Sequence, residues 1–504
     1  MEGHGQRCRN DHQKGAYTHE LRGHVELTDG RMAFISIHRG RRSLERVPRL
    51  GQAESCPYWV PWRFSALENS TVAAGATVTG AMARSVPFLA DVVAAPAEDA
   101  APAAPRAFRL QSLDVFRGLT IAAMLLVNNP GSWSHVYPPL EHAAWNGWTP
   151  TDLIFPFFLF IAGVTTHLSL TARRARGDDE GAIRRQIIKR GLLIFLLGFL
   201  VNGFPYFTWG DVTGIAHPNF LERVVDRLYH WRIMGVLQRI GLAYLCAALL
   251  SQGKSVKRQV ITIVVLLFGY WFAMTALPVP DSGAMGQIVL NDAPRTMAAW
   301  WDRLLLDWTR FGLGNHLWIN SLTWDPEGPF STIPAIGTAM LGNLAGQWIG
   351  SKRPIQERLN GLFAVGALGM MIGLMWNWSF PINKSIWTSS YVVFSAGMAC
   401  VAIATIMWIV DVQRVKGWTK PFVIYGMNPM VAFVGSGVMA RCIYSIFTVT
   451  YQGKKIPLQA GIYNVLFLSW LEPVNASLAF ALTFVLFWFG ILYVLYRRKI
   501  FFKV

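Results

Sequence analysis

Residues Arg109–Gly163 read RLQSLDVFRGLTIAAMLLVNNPGSWSHVYPPLEHAAWNGWTPTDLIFPFFLFIAG, and this stretch decides the fold. Two apolar runs, Leu119–Val127 with its flanks and Leu153–Leu170, bracket a polar and aromatic connection. Each run, with its flanks, is long enough to cross a bilayer as a helix, which takes about 20 residues. The connection holds Asn128, Asn129, His135, His142, Trp133, Trp145 and Trp148, with Asp152 at the edge of the second run. Two readings fit those residue types: chemistry placed between two membrane segments, or an interfacial loop belted by Trp and Tyr.

Composition extends this reading to the rest of the chain. Of 504 residues, 53% are hydrophobic and 15% charged, against about 25% charged in a soluble protein. The net charge of +17 does not indicate nucleic acid, because Lys and Arg gather in short segments between apolar runs. The apolar spans are Leu113–Asn129, Thr151–Thr171, Ile187–Phe204, Ile233–Leu250, Val260–Leu277, Ser331–Gly350, Leu359–Trp376, Trp387–Val410, Pro421–Ile443 and Ala476–Tyr496. Leu458–Trp470 is apolar but short, and reads as interfacial or re-entrant. The expected fold is all-α, a polytopic membrane protein of about ten transmembrane helices.

The basic segments Arg106–Arg117, Arg173–Arg190, Lys254–Arg258, Lys352–Arg358, Arg414–Lys420 and Arg497–Lys503 fall at alternate ends of these spans. The positive-inside rule therefore puts both termini in the cytoplasm. The connections Asn128–Trp148, Tyr206–Trp231, Pro278–Phe330 and Trp376–Ile386 then lie on the outer face.

Residues 1–106 differ from the rest. Residues 1–81 are polar and Arg-rich without periodicity, and read as a disordered extension; 82–106 is an Ala/Pro-rich linker; 107–504 is the membrane domain. The abrupt change at Met82 motivates the expectation that synthesis starts there; an intact mass that includes residues 1–81 would sink it. Five of the eleven His lie in the extension without ligand spacing, and the five Cys are scattered with no CxxC, so no metal site is expected. No signal peptide, P-loop, GxSxG or HExxH pattern is evident.

Several polar residues stand where apolar ones are expected. Asp114 and Arg117 are one turn apart at the inner end of span one, either a local ion pair or a contact to an anionic ligand. His142 can serve as general base or acyl nucleophile, and Asn128 or Asn129 can donate to an oxyanion. Asp152 is costly beside an apolar run unless paired or used, or it is a helix-start acid. Gln238 and Arg239 lie inside span four, where Arg needs a partner, an aqueous cavity or a route to snorkel. Asp325 and Glu327 precede span six, Asn383 and Lys384 precede span eight, and Asn428-Pro429 breaks span nine.

Seven strings, in order, resemble the heparan-α-glucosaminide N-acetyltransferase family: LDVFRG (113–118), LVNNPG (126–131), EHAAWNGWTPTDLIFPFFLFIAG (141–163), RIMGVLQRIGLAYL (232–245), WDPEGPFSTIPAIG (324–337), PINKSIWTSSYV (381–392) and PFVIYGMNPM (421–430). The resemblance spans Arg109 to the end of the chain and is nearest to bacterial members linked to N-acetylglucosamine utilisation, some described as transporters. It implies transfer of an acetyl group from cytosolic acetyl-CoA to the amine of a glucosamine-type sugar across the membrane. It also implies His142 as the catalytic histidine and Asn128, with Asn129 as alternative, as the catalytic asparagine. The matching strings supply Asp114, Arg117, Trp145, Asn146, Asp152, Gln238, Arg239, Asp325, Glu327, Asn383, Lys384 and Asn428 as substrate- or cofactor-binding candidates, with no metal. PGSWSHVYPPL (130–140) stands where the lysosomal enzyme is glycine-rich, which argues against heparan itself as acceptor. The implied setting is a bacterial inner membrane, with an amino sugar and the lipid bilayer as partners, no nucleic acid, and a homodimer left open. A transporter of amino sugars and an O-acetyltransferase of envelope polysaccharide are the competing readings. No internal repeat relating spans one to five with six to ten is evident, which weighs against transport.

Overall fold

A computed structural model of the chain describes residues 110–502 apart from Thr213. The extension, the linker and the Met82 boundary lie outside the described residues.

The ten apolar segments are all helical, because a chain in lipid must satisfy its backbone hydrogen bonds within the segment. In chain order the helices are α1 (Gln111–Asn128), α2 (Ile154–Ala175), α3 (Glu180–Gly203), α4 (Phe220–Tyr229), α5 (Val236–Ser251), α6 (Val256–Thr275), α7 (Gly286–Val289), α8 (Met297–Leu306), α9 (Thr332–Ile349), α10 (Ile355–Trp376), α11 (Ser389–Met407), α12 (Thr419–Met427), α13 (Pro429–Arg441), α14 (Leu458–Leu466) and α15 (Pro473–Arg497). Among the described residues seven helical stretches are long and apolar enough to cross a membrane, including the 3₁₀ start of α2 at Pro150 and π-helical continuations of α11 and α13. The protein is an all-α polytopic membrane protein.

Two local features depart from a plain succession of spans. The expected span Pro421–Ile443 is two helices, α12 and α13, divided at Asn428 (φ −127°, ψ 55°) because Pro429 has no N–H to continue the ladder. The short apolar segment after it is α14, and it is preceded by a hairpin, β1 (Thr448–Tyr451) and β2 (Lys454–Pro457). The hairpin turns at Gln452 and Gly453, both with positive φ, and its strand TVTY opens with three β-branched residues in succession, Thr448, Val449 and Thr450.

The helices pack in pairs: α2 on α9, α3 on α5, α10 on α11, and α1 on α12. With lipid as solvent, hydrophobicity does not drive helices together, and close backbone approach at small residues does. A Cβ at Gly163 of α2 would fall 2.1 Å from the Ala339 carbonyl oxygen of α9, and one at Gly118 of α1 would fall 1.7 Å from that of Phe422 in α12. The long connection 278–330 is structured: α7, α8 and aromatic side chains of Trp301 and Phe330, stacked at 5.8 Å, cover the ends of α6 and α10. One end of the bundle thus carries the basic segments (the basic end), and the other carries the long connections (the loop end).

Gly163→Val forces α2 and α9 apart. Overpacking of this kind costs about 1–3 kcal/mol, so the thermal midpoint in detergent falls, while Gly147→Ala, where a Cβ meets nothing within 4 Å but the backbone is left-handed, falls less. Equal midpoints for Gly163→Val and the unaltered protein would contradict this packing.

Candidate active site

Asp152 is the anchor of the loop end. Thr149 precedes the first turn of α2, and its backbone N–H and hydroxyl both donate to Asp152 Oδ2, at 3.1 and 3.2 Å. The N–H of Ala143 donates to the same oxygen at 3.0 Å. Oδ1 is left to face His142 Nδ1 at 2.7 Å. The Tyr391 hydroxyl from α11 donates to the Asp152 carbonyl at 2.5 Å. The carboxylate is 2% exposed and the imidazole 44% exposed, so a buried charge aims a ring that is open to ligand. A carboxylate on Nδ1–H selects the tautomer with its lone pair on Nε2.

Lys384 completes the group. Its Nζ lies 3.0 Å from His142 Nδ1, 3.3 Å from Nε2 and 3.4 Å from Asp152 Oδ1. The turn that presents it is built by Asn383, whose Oδ1 accepts from the Ile386 N–H at 3.1 Å and whose own N–H donates to Thr388 Oγ1 at 3.0 Å. Asn383 Nδ2 donates to Asn146 Oδ1 at 3.3 Å, and Asn146 Nδ2 to Asn291 Oδ1 at 2.6 Å, so three asparagines tie three connections together. Trp145 donates from its indole to the Leu290 carbonyl at 3.0 Å and lies edge-on to Trp324. Burial pushes the Lys384 ammonium below the usual lysine range; Asp152 and Glu327 counter that push in part.

Behind Lys384 stands an ion cluster. Arg232 makes a two-pronged contact with Asp325, at 2.8 and 2.5 Å, and also pairs with Glu327. Asp302 accepts the Asp325 N–H at 3.1 Å. Burial, reinforced by the Asp325 charge, pushes the Asp302 carboxyl well above the usual range. Burial alone would also raise Glu327, but Arg232 and Arg239 outweigh it and hold this carboxylate charged. Arg239 is fully buried, donates to the Gly328 carbonyl and to Ser331 Oγ, and lies 5.1 Å from the Trp387 ring centre. Gln238 is engaged with the Ile233 carbonyl at 3.0 Å, a bond that closes the start of α5.

The remaining candidates fall elsewhere. Asn129 donates to the Leu125 carbonyl at 2.9 Å, an ordinary helix-end bond, while Asn128 is exposed and without a hydrogen-bond partner among the described residues. Asp114 and Arg117 pair at 3.0 Å at the basic end, a helix bundle away from His142. Asn428 bonds the backbone of residues 500 and 502.

A cavity of about 1170 Å³ lies among the basic segments. Asp114, Arg117, Arg173, Arg176, Arg185, Lys189 and Arg190 line it, and Phe158, Ile161 and Ile240 line its apolar part. Arg190 stacks on Tyr244 at 5.1 Å. Phe158 lies six residues beyond Asp152, a rise of about 9 Å along a helix. The cavity therefore reaches from the basic end to within two turns of the His142 group. The arginines of α2 and α3 read from the sequence only as orientation marks; their density within one short connection was the signal that they share a site. Arg232 carried no such signal, because its acidic partners lie more than 90 residues away. No group of three or more His, Cys, Asp or Glu suited to a metal occurs among the described residues.

Residues 109–300 match the model of the family described as heparan-alpha-glucosaminide N-acetyltransferase, catalytic. Two curated relatives, both called heparan-alpha-glucosaminide N-acetyltransferase, are 29% identical to the chain: one from Mus musculus over 443 residues and one from Homo sapiens over 440. Each alignment covers 79% of this chain and 60% of the relative, so the chain spans about three fifths of their length. The matched residues take in His142, Asp152 and the arginines of the cavity. Over residues 109–300 the chain is thus similar to the catalytic region of the heparan-alpha-glucosaminide N-acetyltransferase family.

Proposed function

We propose that this protein is a membrane acetyltransferase that moves an acetyl group from acetyl-CoA, bound from the basic end, to the amine of a glucosamine-type sugar at the loop end. The observation that carries the reading is His142, held 2.7 Å from a buried carboxylate, two helical turns above a basic cavity. The cavity's guanidinium groups suit the phosphates of CoA, and its apolar inner part suits an uncharged thioester arm. The gathering of basic segments at this end supports a cytosolic position for it; in this reading the setting is a bacterial inner membrane, with the loop end outward.

Asp152 keeps the His142 Nδ1–H in place, so Nε2 takes a proton from the acceptor amine as its nitrogen attacks the thioester carbonyl carbon. The N–C bond forms, the C–S bond breaks, and the thiolate leaves to be protonated as CoA. The Lys384 ammonium, 3.3 Å from Nε2, is placed to donate to the carbonyl oxygen as it gains charge; a second donor role for Asn128 rests on the sequence resemblance alone. In a two-step route His142 Nε2 attacks the thioester itself and the amine then displaces the acetyl group from the imidazole; a labelled acetyl-enzyme trapped on rapid quench would distinguish it from direct transfer.

Purified protein in detergent, given acetyl-CoA, releases CoA in a glucosamine-dependent way, and His142→Ala lowers that rate by about 10²–10⁴-fold while still folded and binding CoA. Release by His142→Ala at the unaltered rate would contradict the assignment. No release and no CoA binding by the unaltered protein would favour amino-sugar transport.

Lys384 also sets a pH dependence. Its ammonium form is the active one, and its proton is lost as pH rises past a pKa that burial has lowered. The alkaline fall in kcat/KM therefore comes below the ordinary lysine range. Arginine stays charged throughout, so Lys384→Arg moves that fall to higher pH; an unmoved alkaline limb would exclude Lys384 as its source.

A further inference from the structure

Asn428 breaks a membrane helix, is 1% exposed, and takes no part in the His142 group. Both functions of its amide are engaged by a segment over 70 residues away: Nδ2 donates to the Ile500 carbonyl at 3.0 Å, and Oδ1 accepts the Phe502 N–H at 3.0 Å. The segment reaches Asn428 because α15 ends in a sharp reversal. Lys499 has φ 56°, its N–H donates to the Tyr496 carbonyl at 3.0 Å, and the Ile500 N–H donates to that of Leu495 at 2.9 Å. This is the helix-ending turn that glycine ordinarily supplies; a lysine there is strained, and strain of this kind persists where the surroundings hold it. Between the reversal and the Asn428 amide, the backbone of residues 500–502 is fixed at both ends.

The side chains so placed are Phe501 and Phe502, 36% and 56% exposed, and both line the basic cavity beside Met427 and Pro429. Two exposed aromatic rings on a wall otherwise rich in guanidinium match a ligand that carries phosphates next to a flat ring. We infer that residues 500–502 form a clasp on the donor cavity, in which Phe501 and Phe502 hold the nucleobase of the CoA molecule and Asn428 is the positioning residue that holds the clasp. This rests on the reading that the cavity takes CoA from the basic end, where the nucleotide stays while the acyl arm extends towards His142.

Two measurements on the full-length protein in detergent test it. Hydrogen exchange of the peptide containing residues 500–502 is faster in Asn428→Ala than in the unaltered protein, because the Phe502 N–H loses its acceptor. Equilibrium binding of CoA weakens by about tenfold in Asn428→Ala and in Phe501→Ser/Phe502→Ser, as expected for loss of ring contacts. Binding of 4′-phosphopantetheine, which keeps the arm and a phosphate but lacks the nucleobase, is the same in all three proteins. The serine pair alters exposed side chains and leaves the Asn428 bonds in place, so its effect is independent of folding. Unchanged exchange, unchanged CoA affinity, or equal weakening of both ligands would each overturn the clasp. Failure of the unaltered protein to bind CoA would overturn the donor-cavity reading, and the clasp with it.

Discussion

A carboxylate buried at the start of a membrane helix is the constraint on which the loop end depends. Asp152 sits where lipid-facing sequence begins, and a charge there is tolerable only with donors around it. The chain supplies them from four places: the Thr149 turn, the Ala143 N–H, the His142 ring and the Lys384 ammonium. Meeting that need folds the connection 129–149 back over α2 and draws the turn before α11 against it. The same contacts fix the imidazole, so the stability requirement and the chemical requirement are met by one set of bonds.

The ion cluster behind Lys384 extends this logic. Arg232 pairs with Asp325 and Glu327, Asp302 accepts the Asp325 N–H, and Arg239 closes on backbone and on Trp387. The cluster joins α5, α8 and the start of α9, and so holds the connection 278–330 over the site. At the other end the charges line a cavity. Guanidinium groups from α1, α2 and α3 converge on one cavity with Asp114 as the acid among them. Glycine contacts bring α2 and α9 into close lateral packing between the two ends.

Much of this was legible in the sequence, and the reasons are particular. Every apolar run of span length is helical because lipid leaves the backbone few alternatives, and only Pro421–Ile443 is divided into two helices. His142 and Asp152 stood out because polar groups beside such runs are costly, and Asn428-Pro429 was visible as a break. Pairing across the chain was not legible. Nothing local shows that Arg232 belongs to Asp325, that Asn146 meets Asn383, or that Asn428 serves residues 500–502 rather than the His142 group. The hairpin at 448–457 was hidden by the strong helical signal on either side of it. The resemblance favours Asn128 over Asn129, while their residue type alone does not separate them; in the fold the Asn129 amide is bound to its own helix and Asn128 is exposed.

The central claim is that donor and acceptor meet from opposite sides of the membrane at His142. Proteoliposomes loaded with acetyl-CoA and given glucosamine outside test it directly, with the acetylated sugar measured in the external medium. The account predicts external N-acetylglucosamine when the two substrates are separated by the bilayer, and none when both are supplied only on one side. Product formed solely when both share a side would contradict it.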